Sequence, residues 1–415
     1  MLCYAIGRFA SFCEGTAHIS ACDLVMTMLQ RHIASPSLVN KAAYAIANLS
    51  ANAINLDHLS SVGAVDAIAN CTVMFVDKSI AKVGIFRAIA ALTNTSSENR
   101  ARFTAVPKAT SSFIKALYED IEYEEITLWG CRAIVALTKD NRLNVSTLGS
   151  VGNYMDEILR QYKGNLDITK IALQAISALA HGNTSNRSLL GVSGACDEVG
   201  EALPLLSYED EHTAQLACRV IANLAANHPN NQHKLGVSGA CEYLIGVLTD
   251  HCLGEVSDPA VARKTTRLAC WAVANLVETS KGRNTSGTPT EEKKRSSLNI
   301  AGLLDGMVEA KSKKNSQKFD DLNIVTALES ALTQYGSDTE TALWIVRAIN
   351  NLSKTKSIRD KFIRIEMLQA LDKLLTSAPT AGEGVPSSSG LVEWVTITKE
   401  TLLDQPGGSR KTLVV

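Results

Sequence analysis

The residues of this chain that can do chemistry fall on a period, not in one cluster. At a position just ahead of a recurring leucine they run Arg8, Asn48, Ala91, Ala136, Ala178, Asn223, Asn275 and Asn351. Four positions earlier they run Tyr4, Tyr44, Arg87, Arg132, Gln174, Arg219, Trp271 and Arg347. Four residues make about one helical turn, so each pair shares a helix face. The chemistry on offer is recognition, because an arginine guanidinium pairs with carboxylate or phosphate. Catalytic signatures are missing: there is no Walker loop, His-Glu-x-x-His, nucleophile elbow or kinase set. Gly191-Val-Ser-Gly194 and Gly236-Val-Ser-Gly239 match the Gly-x-x-Gly of an RNA clamp. They lie between helical stretches and are read as helix breakers. His251-Cys252, near Cys241 and Cys270, fits no standard zinc spacing. No catalytic residue, cofactor or metal is expected.

The elements that must position these residues are repeated. Ala-Ala-Tyr-Ala-Ile-Ala-Asn-Leu-Ser at 42–50 returns as Cys-Arg-Val-Ile-Ala-Asn-Leu-Ala at 218–225 and Cys-Trp-Ala-Val-Ala-Asn-Leu-Val at 270–277. Near-copies lie at 86–93, 131–138, 173–180 and 345–353. Anchored on its leucine, the motif recurs at Leu49, Leu92, Leu137, Leu179, Leu224, Leu276 and Leu352, with Phe9 in the equivalent place. Successive gaps are 40, 43, 45, 42, 45, 52 and 76 residues. A helix breaker follows each anchor: Gly63, Pro107, Gly152, Gly194, Gly239 and Gly302. Both residue types end helices. Each unit therefore reads as a short helix, a second amphipathic helix and a longer third helix carrying the motif. A fixed period of this size is the signature of a helical array.

Composition agrees. Of 415 residues, 46% are hydrophobic and only 5% aromatic, which suits closely stacked, Ala- and Leu-rich helices. The net charge of −1 gives no global field toward nucleic acid. Ten cysteines without Cys-x-x-Cys, several inside apolar helical patterns, read as reduced, buried thiols of an intracellular protein. No run of 18 apolar residues is present, so no membrane insertion is expected, and the N-terminus lacks a basic leader with a cleavage site.

The period, the mid-repeat breaker and the Asn-Leu-Ser/Ala ending resemble the armadillo repeat family over about residues 1–377. HEAT repeats have a similar period but two helices and no such glycine. The resemblance implies an all-α, right-handed α-α superhelix of about seven full repeats with partial end units. It also implies that the third helices line a concave groove. There the asparagines bind the backbone of an extended peptide, a role that carries over to Asn48, Asn223, Asn275 and Asn351 only. Alanine at 91, 136 and 178 puts it in doubt for the central groove. Import adaptors of the importin-α kind pair that Asn with a Trp one turn before, and here only Trp271–Asn275 fits. Trp129 and Trp344 sit eight residues before their leucine and are assigned to the core. The run Arg8, Arg87, Arg132, Arg219 and Arg347 looks more like the basic groove of β-catenin. The expected peptide groove is thus Arg8, Tyr44, Asn48, Arg87, Arg132, Gln174, Arg219, Asn223, Trp271, Asn275, Arg347 and Asn351. An ordinary solvated face, its arginines neutralised by Glu122, Glu124, Glu125, Asp210 or Glu211, is the other reading of the same residues.

The 76-residue gap divides around Gly302, which places inserted loops at about 280–297 and 311–320. A milder extension lies near 249–265. Lys293-Lys294-Arg295 reads as a solvated loop, with a nuclear import signal or a kinase site at the adjoining serines as alternatives. The chain opens inside a third helix, so the first apolar face lacks a neighbour; either the sequence is incomplete or this end docks on something. Residues 357–377 supply a half repeat. Pro379, Gly382, Gly384 and Ser387-Ser388-Ser389 mark a linker, and 378–415 is expected to be a flexible tail in which Leu391–Val395 could pack back as a short helix or strand.

The functional expectation is a non-enzymatic, cytoplasmic scaffold, with the nucleus as a second compartment. It would bind extended acidic or phosphorylated segments of protein partners, and neither nucleic acid nor small molecules. Three alternatives stand beside it: a nuclear import adaptor for basic signals, a small-GTPase regulator and a structural arm of a larger assembly.

Overall fold

The structure, a computed structural model, describes residues 18–206, 211–252, 254, 258–278, 314–363, 365–377 and 386–403. All regular structure among them is helical. The chain divides into two compact units, the first ending at Glu198 and the second beginning at Val199. None of the described helices is long and apolar enough to cross a membrane.

Third helices are numbered α1 to α8 in chain order. In unit 1 they are α1 (Pro36–Leu49), α2 (Ser79–Thr93), α3 (Glu124–Thr138) and α4 (Leu166–Ala180), each packed on the next. In unit 2 they are α5 (Glu211–Ala225), α6 (Pro259–Leu276), α7 (Thr339–Leu352) and α8 (Pro386–Leu403), again packed consecutively. Two shorter helices precede each of α2, α3, α5, α6, α7 and α8, as at Ala53–Ser61 and Ala64–Met74 before α2. In element order the chain is the all-α solenoid that the repeats imply.

Several breakers act as expected. Gly63, Gly194 and Gly239 adopt φ of 83°, 107° and 96° at the turn between first and second helices. Only glycine enters that left-handed region without strain. Pro107 hands the turn to Lys108 at φ 65°.

After each of α1 to α6, a buried asparagine of the next repeat ties it to the one before. Two or three residues into the first helix, its side-chain amide donates to the carbonyl of the preceding anchor leucine. The pairs are Asn55–Leu49 (3.2 Å), Asn99–Leu92 (2.8 Å), Asn144–Leu137 (2.9 Å), Asn186–Leu179 (2.9 Å) and Asn231–Leu224 (3.1 Å). The last carbonyls of a helix have no intrahelical partner, so a buried helix end requires such a donor. Several of these amides also reach the previous first helix: Asn99 donates to Ser60 Oγ at 2.8 Å and Asn186 to the Val145 carbonyl at 2.7 Å.

The same bond corrects the boundaries expected around the insertion. Asn315 donates to the Leu276 carbonyl at 3.1 Å and to the Gln232 carbonyl at 2.8 Å. Residues 314–321 are helical. They are the first helix of the α7 repeat, not the inserted loop expected at 311–320. Asn323, at φ 57°, takes the mid-repeat turn that Gly302 was assigned. Gly302, the loop at 280–297 and Lys293-Lys294-Arg295 lie outside the described residues.

A second correction concerns the tail. Lys356–Phe362 and Ile365–Ser377 are followed by α8, which lies on α7 and completes a further repeat. Leu391, Val395, Thr398 and Leu402 are buried along one stripe, a spacing of four, three and four that is helical. Lys399 pairs with Asp372. Residues 378–385 and 404–415 are outside the described set. The eight described cysteines are buried and unbridged, and burial pushes thiols such as Cys131 and Cys218 up to about 12.

Two outcomes are expected. Asn144→Leu orphans the buried Leu137 carbonyl and should cost about 1–3 kcal/mol, read as a lower midpoint in urea. Truncation after residue 385 uncovers the apolar stripe of α7 and should lower Tm; an unchanged Tm would deny α8 a place in the fold.

Candidate peptide groove

In unit 1 four of the expected residues converge with one that was assigned elsewhere. Tyr44 and Asn48 lie on α1, Arg87 on α2, and Trp129 and Arg132 on α3. The Arg87 guanidinium sits 4.2 Å from the Tyr44 ring centre and 4.6 Å from that of Trp129. Its Nη2 donates to Asn48 Oδ1 at 3.1 Å. Arg132, exposed at the surface, lies 4.4 Å from the same Trp129 ring. The two guanidinium carbons are therefore no more than about 9 Å apart across one indole. Among the described residues, neither has a carboxylate within ion-pairing distance, and neither does Arg219. Arg263 and Arg267 on α6 contrast with them, since they pair with Asp338 and Glu340. Burial opposes ionisation of Asp338, but bonds from the Thr341 hydroxyl and amide, with Arg263 and Arg267, hold its carboxyl below the usual range.

In unit 2 the face is dominated by indoles. The Trp271 and Trp344 ring centres are 5.8 Å apart at 47°. Arg347 lies 4.3 Å from Trp344 and 4.9 Å from Trp394 of α8. Asn275 and Asn351, each 5% exposed, donate one N–H to the third helix before them, at the carbonyls of Ala222 (2.9 Å) and Ala274 (3.0 Å). Lys354 donates to Asn351 Oδ1 at 3.0 Å. An amide carries two N–H groups, and one of them at each position is spent on this bond between third helices.

The remaining expected residues are placed singly. Gln174 on α4 and Arg219 on α5 are exposed, and Asn223 is buried. Arg8 and Tyr4 are outside the described residues. Trp129 and Trp344 are half-buried on the ladder face, which corrects their assignment to the core. Eight before the leucine is seven before the polar slot, nearly two full turns, and so the same stripe. Trp394 was missed because α8 was not expected as a third helix. One signal was available: all four tryptophans fall on third helices, and Trp129 and Trp344 each stand three residues before a ladder arginine, within one turn.

The fold and this face define a class, the armadillo-type α-solenoid. No family model and no curated protein matches the sequence. Among solved structures, an engineered protein aligns with a TM-score of 0.60 at 17% identity, over 96% of this chain and 94% of its own. A structure from work on a phosphorylation switch controlling the interaction between cadherin and β-catenin aligns at 0.57 and 15% identity, over 92% of this chain and 78% of its own. A designed armadillo repeat protein aligns at 0.49 and 18% identity, over 69% of this chain and 98% of its own. At these identities the likeness is one of fold.

Arg87 is built into three helices, whereas Arg132 touches one. Arg87→Ala should therefore cost about 1–2 kcal/mol of stability, from one hydrogen bond and the cation–π contacts, and Arg132→Ala much less. Equal urea midpoints for the two variants would contradict the geometry.

Proposed function

We propose that the chain is a non-enzymatic protein-binding scaffold whose third-helix face holds extended peptide segments, acidic or phosphorylated ones in unit 1. The observation that carries this reading is the Arg87–Trp129–Arg132 cluster. Two cations stand within about 9 Å of each other with no ion-pair partner among the described residues. Such an arrangement is favourable for an incoming anion and repels a cation. A charge-assisted contact here is worth about 1.5–3 kcal/mol. The interaction of β-catenin with cadherin, named for the solved structure above, is a precedent for the fold holding a protein ligand.

The nuclear import reading requires exposed indole faces ready for lysine and arginine chains. In unit 1 the Trp129 indole already holds two guanidinium groups, which favours the acidic reading over the import one. No specific observation favours a GTPase regulator or a structural arm. The reading places the protein among soluble interaction partners of the cytoplasm, with no role for nucleic acid or small-molecule substrates.

The test uses the full chain and fluorescent decapeptides that are Asp/Glu-rich, phosphoserine-containing or Lys/Arg-rich. The two anionic probes should bind, more weakly as salt rises, and Arg132→Glu should weaken them at least tenfold without moving Tm. Preference for the Lys/Arg-rich probe, or unchanged affinity in the variant, overturns the proposal.

A further inference from the structure

We infer that Lys41 is a third cation of the unit 1 groove, and that Lys41, Arg87 and Arg132 together select a segment bearing a phosphorylated side chain over one bearing carboxylates alone. The inference rests on the reading of this face as a peptide groove and names the anion it prefers.

The slot eight residues before the anchor leucine holds Trp129 on α3, where it faces the ladder, and Lys41 on α1. Contacts on either side of Lys41 fix its place. One residue before it, Asn40 Oδ1 accepts from the Gly84 amide of α2 at 2.7 Å. Three residues after it, the Tyr44 ring lies 4.2 Å from the Arg87 guanidinium. Gly84 and Arg87 are one turn apart on α2, so Lys41 stands beside that same turn. Glycine is required for this approach, because a Cβ at 84 would meet the Asn40 carbonyl oxygen and side chain. Gly84 also fills the same slot on α2, between Lys41 and Trp129, and offers no side chain there.

The three helices carry few charges. α1 has only Lys41, α2 has Lys82 and Arg87, and α3 has Glu124, Glu125 and Arg132. Lys82 is buried against Asp120 at 2.7 Å. Glu124 accepts from Asn165 at 2.8 Å. Glu125 stands seven residues before Arg132, about 10 Å along the helix. Lys41 is half-buried and, like Arg87 and Arg132, has no carboxylate partner among the described residues. A half-buried ammonium without a counter-ion is a cost that an arriving anion relieves. A phosphorylated side chain brings a charge of about −1.5 to −2 and three acceptor oxygens. A carboxylate brings one charge and two oxygens. Two guanidinium groups and an ammonium therefore gain more from phosphate.

The test uses the full chain and three fluorescent decapeptides of one Asp/Glu-rich sequence, alike except at a central position that is phosphoserine, aspartate or serine. At pH 7.5 the phosphoserine form should bind about tenfold more tightly than the aspartate form. That advantage should shrink as pH falls through about 6, where phosphate loses its second charge. No histidine lies on α1, α2 or α3 to answer at that pH. Lys41→Gln should remove most of the advantage and Lys41→Arg should keep it, with Tm unmoved in both. If the aspartate form binds as tightly as the phosphoserine form, or Lys41→Gln leaves the preference intact, the inference falls while the groove reading stands. A Tm lowered by both Lys41 variants assigns the residue to the fold and overturns the inference as well. If none of the three peptides binds, both readings fall.

Discussion

A buried carbonyl at the end of each third helix from α1 to α6 is the constraint on which this structure depends. The anchor leucine closes a helix, so its carbonyl lacks a partner within it. The next repeat supplies one, through Asn55, Asn99, Asn144, Asn186, Asn231 and Asn315. None of these six repeats is complete without its successor, the condition under which stability becomes a sum over neighbours. The bond also sets the ladder. It fixes the end of the helix, and the ladder slots lie one and five residues before that end. Where the repeats face each other further out, the same logic uses charge: the Lys82 ammonium, 2% exposed, donates to the Ala116 carbonyl at 3.0 Å and pairs with Asp120 at 2.7 Å.

The ladder residues staple neighbouring third helices, and on the proposed reading the same residues meet the ligand. Asn48 holds Arg87, while Asn275 and Asn351 each hold the preceding third helix. A side chain fixed this way has surrendered its rotamer freedom on folding, so less is lost when a ligand arrives. The cost is that ligand chemistry and fold stability cannot be varied independently at Arg87. At Arg132 they can, because its guanidinium rests on Trp129 and otherwise faces solvent.

Much of the fold was legible because it depends on spacing. The anchor leucines and the glycines at 63, 194 and 239 mark helix ends by residue type, and left-handed φ leaves few other residues for those turns. Where another residue took the turn, the reading slipped. Asn323 does what glycine does elsewhere, so Gly302, at a plausible distance, drew the boundary instead. The clamp asparagine was the better marker. Asn99, Asn144, Asn186 and Asn231 each follow their leucine by seven residues. Asn315 follows Leu276 by 39 residues, so even this marker fails at the insertion. α8 was hidden by the proline, glycine and serine run ahead of it, although Leu391, Val395, Thr398 and Leu402 carry a helical stripe.

The site was legible residue by residue but not as a surface. A list of arginines suggests a field of free cations. The structure shows cations distributed over indoles, and that changes what the face can bind. An indole with a guanidinium against it has lost part of its capacity to attract a second cation, because the first already draws on the ring's quadrupole. The guanidinium keeps its N–H donors in its own plane, able to bond oxygen acceptors as Arg87 does at Asn48 Oδ1. Stacking therefore shifts a tryptophan from cation acceptor to apolar wall and leaves the arginine an anion donor. In unit 1, where Arg87 and Arg132 share one indole, the anion donor dominates. In unit 2, where Arg347 serves two indoles and Trp271 adds a third, the apolar wall does. The ratio of arginine to tryptophan along the ladder, more than the count of either, sets the chemistry of each face.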